Sequence, residues 1–130
     1  MIALDTNVIV RLATEDDAAQ FARAKALVAG NECYISATVL LEAEGVLRSA
    51  YGKSRLAISS YFRALFTVET ITVEGGKRMF EVLENVDAGL DFADALHLAH
   101  AGFAQSFATF DEALVRRSKM MKTLVTVRFV

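Results

Sequence analysis

Four acids stand beside apolar segments in this chain: Asp5, Glu42, Asp94 and Asp111. Asp5 ends the run Met1-Ile2-Ala3-Leu4 without a spacer, and Thr6 and Asn7 follow it, so a carboxylate, a hydroxyl and an amide stand together. Asp111 follows Ser106 to Phe110 and precedes Glu112-Ala113-Leu114. If both apolar runs are strands, Asp5 and Asp111 fall at strand carboxyl ends, where open α/β sheets place their ligands. Carboxylates gathered within about 4 Å repel by ~4 kcal/mol per pair at an effective dielectric of 20. A bound cation compensates that repulsion, and an all-oxygen set without Cys or a strong His pair suits Mg²⁺ or Mn²⁺ rather than zinc. Such an ion acidifies and orients a bound water and stabilises charge on a phosphoryl oxygen, which are the needs of phosphodiester hydrolysis. No nucleophilic side chain is required, and no Ser/His or Cys/His signature is present.

Each acid also has a plainer reading. Asp and Thr are good helix N-caps, so Asp5, Thr6 or Asp111 could simply begin the helices that follow. Capping explains them one at a time; four acids in comparable settings favour a metal site. Glu42 and Glu44 lie about 200° apart on one helix, so only one can face a shared pocket. Glu42 follows Leu40-Leu41 at the edge of the apolar face and is the chosen ligand, with Glu44 expected toward solvent or a partner. Asp91 and Asp94 are about 60° apart and can point to the same side. Asp91 is expected to cap the helix, with direct ligation left open, while Asp94 in the first turn is free to reach a metal. His97, one turn beyond Asp94, is expected to be a packed or surface histidine, and His100 carries no further signal.

The elements that must position these residues can be read from periodicity and capping residues. Residues 1–4 read as a strand and 6–14 as a short helix. A helix over 16–29 has Gly30 just past its end, and 33–35 is a second strand. Ser36 caps a helix to about Ala50 with Gly52 as its stop, and Ser54 starts another to about Phe66. Residues 68–73 look extended, being rich in Val, Ile and Thr. Gly75-Gly76 precede a helix that ends near 87–89. Residues 91–101 are helical with Gly102 behind, 106–109 form a strand, 112–121 a helix and 124–129 the last strand. Strands separated by helical crossovers imply an α/β sandwich with a mainly parallel central sheet flanked by helices, and the long helical block before Ser106 reads as a helical arm where copies could dimerise.

With 130 residues and no linker-like or low-complexity stretch, one compact domain over 1–130 is expected. The single Cys33 excludes an internal disulfide, and its neighbours Tyr34 and Ile35 suggest a buried thiol, which suits a reducing cytoplasm. No secretory h-region and no apolar run near ~20 residues is present, so a soluble cytoplasmic protein with no membrane association is expected. The 54% hydrophobic content and mean hydropathy of +0.35 are high for a small monomer and point to a covered interface. The net charge of −2 does not exclude nucleic acid. Setting the four acids aside as metal ligands leaves 12 acidic against 14 basic residues, and a divalent ion would turn the acidic pocket into a phosphate attractor.

Leu4-Asp5-Thr6-Asn7, the stretch from Ser36 through Glu42, Asp91-Phe92-Ala93-Asp94-Ala95-Leu96 and Thr109-Phe110-Asp111 together resemble the PIN-domain ribonucleases, with the closest likeness to VapC-type toxins of bacterial toxin–antitoxin pairs. The likeness runs over nearly the whole chain with the motifs in family order; only His97 departs, standing where many relatives carry an apolar residue. The resemblance implies a PIN-like three-layer sandwich and a Mg²⁺- or Mn²⁺-dependent endoribonuclease whose metal site is Asp5, Glu42, Asp94 and Asp111. Thr6 and Asn7 would orient ligands or water, and Thr109 would support the strand end holding Asp111. It also implies a VapB-type antitoxin that covers the site, and a homodimer formed through the helical arm.

RNA would be held by other groups. Arg116, Arg117, Lys119 and Lys122 form a basic stretch after Asp111, and Lys53 and Arg55 a second small group; such runs are also ordinary solvated helix faces. Phe107 and Phe110 could stack on unpaired bases, although a strand location makes them core residues first. Two other readings stay open. A receiver-type signalling domain also carries strand-end acids and Mg²⁺, but here no acid ends the second strand. A PIN-like protein that binds RNA or an antitoxin without cutting would retain the same motifs.

Overall fold

The computed structural model describes residues 1–130, which divide into two compact units, Met1–Gly76 and Lys77–Val130. All strand pairing is parallel, and helices connect the strands, as α/β patterning requires.

The first unit runs β1 (Ile2–Ala3), α1 (Thr6–Thr14), α2 (Ala18–Gly30), β2 (Cys33–Ile35), α3 (Ala37–Ser49), α4 (Arg55–Phe66) and β3 (Ile71–Val73). Its sheet has the order β1-β2-β3, with Ile2 opposite Cys33 and Cys33 opposite Ile71. Cys33 and Ile35 are fully buried with Tyr34 between them half-buried, the alternation of a strand. Burial raises the Cys33 thiol above its ordinary range. In α1 the buried positions Thr6, Ile9 and Val10 recur at helical spacing, and the helix packs on α2 and α3. Ser36 and Ser54 cap α3 and α4, accepting from Val39 N–H at 3.3 Å and Ala57 N–H at 3.1 Å.

The second unit runs α5 (Lys77–Asp87), α6 (Phe92–His100), β4 (Ser106–Thr109), α7 (Glu112–Ser118) and β5 (Thr126–Phe129). Strands β4 and β5 pair from Ser106 opposite Thr126 to Thr109 opposite Phe129. α5 packs along α6, and α7 packs on both strands. Met79, Val82, Leu83, Leu90, Leu98 and Val125 are among its buried side chains.

Several boundaries depart from the sequence expectation, each for a local reason. Helix α2 is capped by Asp17, whose side chain accepts from Gln20 N–H at 3.0 Å; Asp16 is drawn away by Arg11, Thr14 and Tyr51. Gly30 is the last helical residue rather than the stop, because Asn31 Nδ2 donates to the Leu27 carbonyl and closes the end. β3 begins only at Ile71, since Val68 N–H still bonds Leu65 O. α7 stops at Ser118 and β5 starts at Thr126, both shorter than periodicity suggested. Gly52, at φ +63°, takes the left-handed conformation expected after α3. Gly102 serves differently: a Cβ there would meet the Leu124 side chain at 3.1 Å. No helix is long and apolar enough to cross a membrane.

Candidate functional site

In the first unit, β1 delivers Asp5 just beyond its carboxyl end, where Asp5 becomes the N-cap of α1. Its Oδ1 accepts from the Thr6 N–H at 2.7 Å, while Oδ2 stays outside the cap on an exposed side chain. Capping and ligation are therefore compatible at this residue. Thr6 is buried and Asn7 exposed. Asp5, Thr6, Asn7 and Glu42 line one hollow of about 280 Å³, to which Arg11 and Tyr51 also contribute. Glu42 is exposed and carries no ion pair.

Glu44 does not face solvent. It is only 13% exposed and accepts from Arg48 Nε at 2.9 Å, one turn along the helix, a pairing that draws the carboxylate onto the helix surface.

In the second unit, Asp111 lies two residues past the end of β4 and caps α7, its Oδ1 accepting from Ala113 N–H at 2.9 Å and Leu114 N–H at 3.1 Å. Oδ2 again stays outside the cap. Thr109 Oγ1 accepts from the Asp111 N–H at 3.0 Å. Asp94 is half-buried in the first turn of α6. Its carboxyl is held above the ordinary carboxylate range first by burial and then by the negative charges of Asp91 and Asp111, against the opposing pull of His97 and Arg117. Asp91 occupies the N-cap position of α6, but its side chain makes no capping hydrogen bond. The expected capping role is thus replaced by an electrostatic one: Asp91 adds charge beside Asp94. His97 and His100 are exposed.

Arg116, Arg117 and Lys119 are exposed at the end of α7, and Lys122 is exposed beyond it. Lys53 and Arg55 are exposed at the start of α4. Phe107 is half-buried, whereas Phe110 is 79% exposed rather than a core residue, because the pairing of β4 with β5 ends at Thr109. Two residues escaped the sequence reading. Phe103 is 93% exposed, and its place just after Gly102, outside any apolar period, was the available signal. Arg11 lies one turn after Asn7 on α1, a spacing that sets both on one face.

No three His, Cys, Asp or Glu side chains are gathered closely enough to hold an ion by themselves. The donors fit a hard divalent cation in another way. Mg²⁺ keeps several waters and takes one or two carboxylates together with substrate phosphate oxygens. Each unit supplies carboxylates suited to that mode: Asp5 and Glu42 on one hollow in the first, Asp94 and Asp111 within electrostatic reach of one another in the second. The family model described as PIN domain matches residues 2–120 of the chain. Comparison with curated proteins and with solved structures gives no match.

Proposed function

Because the chain belongs to the PIN domain family, a nuclease fold, we propose that it is a Mg²⁺- or Mn²⁺-dependent endoribonuclease of the VapC toxin type. The observation that carries this reading is the double use of Asp5 and Asp111. Each follows a parallel strand, spends one carboxylate oxygen on the helix it caps, and leaves the other outside the cap.

In this reading Asp5 and Glu42 of the first unit, and Asp94 and Asp111 of the second, are the carboxylates that would ligate Mg²⁺ or Mn²⁺. When bound, Mg²⁺ or Mn²⁺ supplies an acidified water and stabilises charge on the phosphoryl and leaving oxygens. The caps at Asp5 and Asp111 fix those carboxylates before substrate arrives, which lowers the reorganisation needed during reaction. Thr6 and Asn7 orient ligands or water, Thr109 fixes the backbone beneath Asp111, and Asp91 concentrates negative charge beside Asp94. Hydrolysis joins the water oxygen to phosphorus and releases one ribose oxygen. Arg116, Arg117 and Lys119 receive the phosphate backbone, and the exposed Phe110 beside Asp111 offers a face for an unpaired base.

The same reading includes a VapB-type antitoxin that neutralises the acids, a homodimer and a cytoplasmic setting. The apolar surplus of the sequence and Leu56, 62% exposed on α4, support a covered surface. The test is direct. Purified protein freed of any antitoxin is expected to cleave RNA in Mn²⁺ or Mg²⁺ and not in EDTA, with Asp5→Asn and Asp94→Asn inactive. Intact RNA under all conditions, with both variants as toxic on expression as the parent, would sink the reading.

A further inference from the structure

We propose that the first unit carries a second RNA subsite, a phosphate cradle formed by Arg11 of α1 and Arg23 of α2, which receives a nucleotide flanking the one at the carboxylates. This rests on the endoribonuclease reading above and names a part of the substrate path that the motifs do not reach.

Beside the carboxylate hollow lies a second one of about 390 Å³, to which Asn7, Arg11 and Arg23 contribute polar groups and Val8, Ala24 and Leu27 apolar ones. The two hollows share Asn7 and Arg11, so a strand leaving the acids along this wall enters the second hollow directly. No acid lines it. The hollow lined by the Asp5 and Glu42 carboxylates thus adjoins one lined by two guanidinium groups and no acid, which suits the next phosphate of an RNA strand.

Arg11 is held in place to serve it. Its Nε donates to Gln20 Oε1 at 2.6 Å, and Nη1 donates to Asp16 Oδ1 at 3.2 Å and to the Tyr51 hydroxyl at 3.0 Å. Tyr51 in turn donates to Asp16 Oδ2 at 2.9 Å. Nη2 has none of these partners. The guanidinium is held at two of its three nitrogens, so it has little side-chain freedom left to lose when a phosphate meets its remaining N–H groups. Asp16 lines neither hollow, and its carboxyl is held below the ordinary range by hydrogen bonds from Thr14 and Tyr51, then by the charge of Arg11. Arg23 stands one turn after Gln20, exposed and without an ion pair. Val8, Ala24 and Leu27 give the sugar or base an apolar surface.

Binding can be read by fluorescence anisotropy of a labelled single-stranded RNA in EDTA, and KM measured on the same RNA in Mn²⁺. Arg23→Glu is expected to weaken binding about tenfold, raise KM by a similar factor and lower the salt slope by ~0.7 for the lost phosphate contact. Arg23→Lys is expected to retain most of the affinity. Lys25→Glu makes the same charge change on the same helix, but Lys25 lies over the Phe21 ring and lines a different hollow, so it is expected to leave binding near that of the parent. Equal losses in the Arg23→Glu and Lys25→Glu variants, an Arg23→Glu protein that binds like the parent, or a parent that binds no RNA would each overturn the subsite. Cleavage by the parent with an unchanged KM in Arg23→Glu overturns the subsite alone. Arg23-dependent binding without cleavage in Mn²⁺ overturns the nuclease reading and leaves the subsite standing.

Discussion

Thr109 and Asp111 are joined across the end of β4: the Thr109 hydroxyl oxygen accepts from the Asp111 N–H at 3.0 Å, and Asp111 Oδ1 accepts in turn from the first N–H groups of α7. The acid is pinned on both sides, by its backbone to the strand and by one oxygen to the helix. Asn retains an oxygen for the cap but carries no charge. Asp111→Asn is therefore expected to keep stability within about 0.5 kcal/mol while abolishing RNA hydrolysis, whereas Asp111→Ala also loses about 1 kcal/mol with the cap. Urea unfolding of the two variants beside a cleavage assay checks this; equal stability losses would contradict the division of the two oxygens.

Asp94 sets a pH dependence. Burial, Asp91 and Asp111 raise its folded-state pKa above the ordinary 3.8. The folded protein then binds a proton that the unfolded chain has released, so stability falls as pH rises from 3.8 through the folded value and stays reduced above it. Metal-free Asp94→Asn is expected to melt higher than the parent at pH 7, with the difference vanishing as pH falls toward 3.8. Millimolar Mn²⁺ is expected to raise the parent's Tm more than the variant's. Thermal scans at several pH values decide it, and an Asp94→Asn protein that melts lower than the metal-free parent at pH 7 would refute the strain.

Glu42 and Glu44 separate function from stability. Glu44 holds Arg48, so Glu44→Gln is expected to cost about 0.3–0.5 kcal/mol and leave cleavage intact. Glu42 lines the hollow with Asp5 and has no ion pair to lose, so Glu42→Gln is expected to unfold like the parent and to lower kcat by about two orders of magnitude. The reverse pattern would move the site to Glu44.

Ser59 is 1% exposed on α4, and its hydroxyl has no hydrogen-bond partner. Ser59→Ala removes a buried polar atom that gains nothing from folding, and is expected to stabilise the protein by about 1 kcal/mol. A urea midpoint below the parent's would show that the hydroxyl is satisfied.

Much of the local structure was legible because its causes are local. Ser36, Ser54, Asp5 and Asp111 announce helix starts through bonds that span three residues or fewer, and 3.6- and 2-residue periods mark which faces are buried. Asp16 and Asp17 show where this fails. Both are good caps by type, and the choice fell to Asp17 because Tyr51, 35 residues beyond Asp16, claims the latter. Glu44, expected toward solvent or a partner, is largely shielded from solvent, because spacing around the helix says nothing of Arg48's reach along it. Phe110 is exposed rather than core because strand pairing, not residue type, decides where a strand ends.

The sequence by itself determined which groups are available for chemistry: four carboxylates in family order, the hydroxyl and amide after Asp5, and a single Cys33 that cannot form an internal disulfide. It could do so because strand-end and cap positions follow from neighbours in the chain. Only the tertiary structure decided how those groups are used. It left one oxygen of Asp5 and of Asp111 outside each cap, gave Asp91 an electrostatic role, and fixed Arg11 between two hollows. Those outcomes depend on partners such as Gln20, Tyr51 and Arg117, brought close by folding rather than by adjacency in sequence.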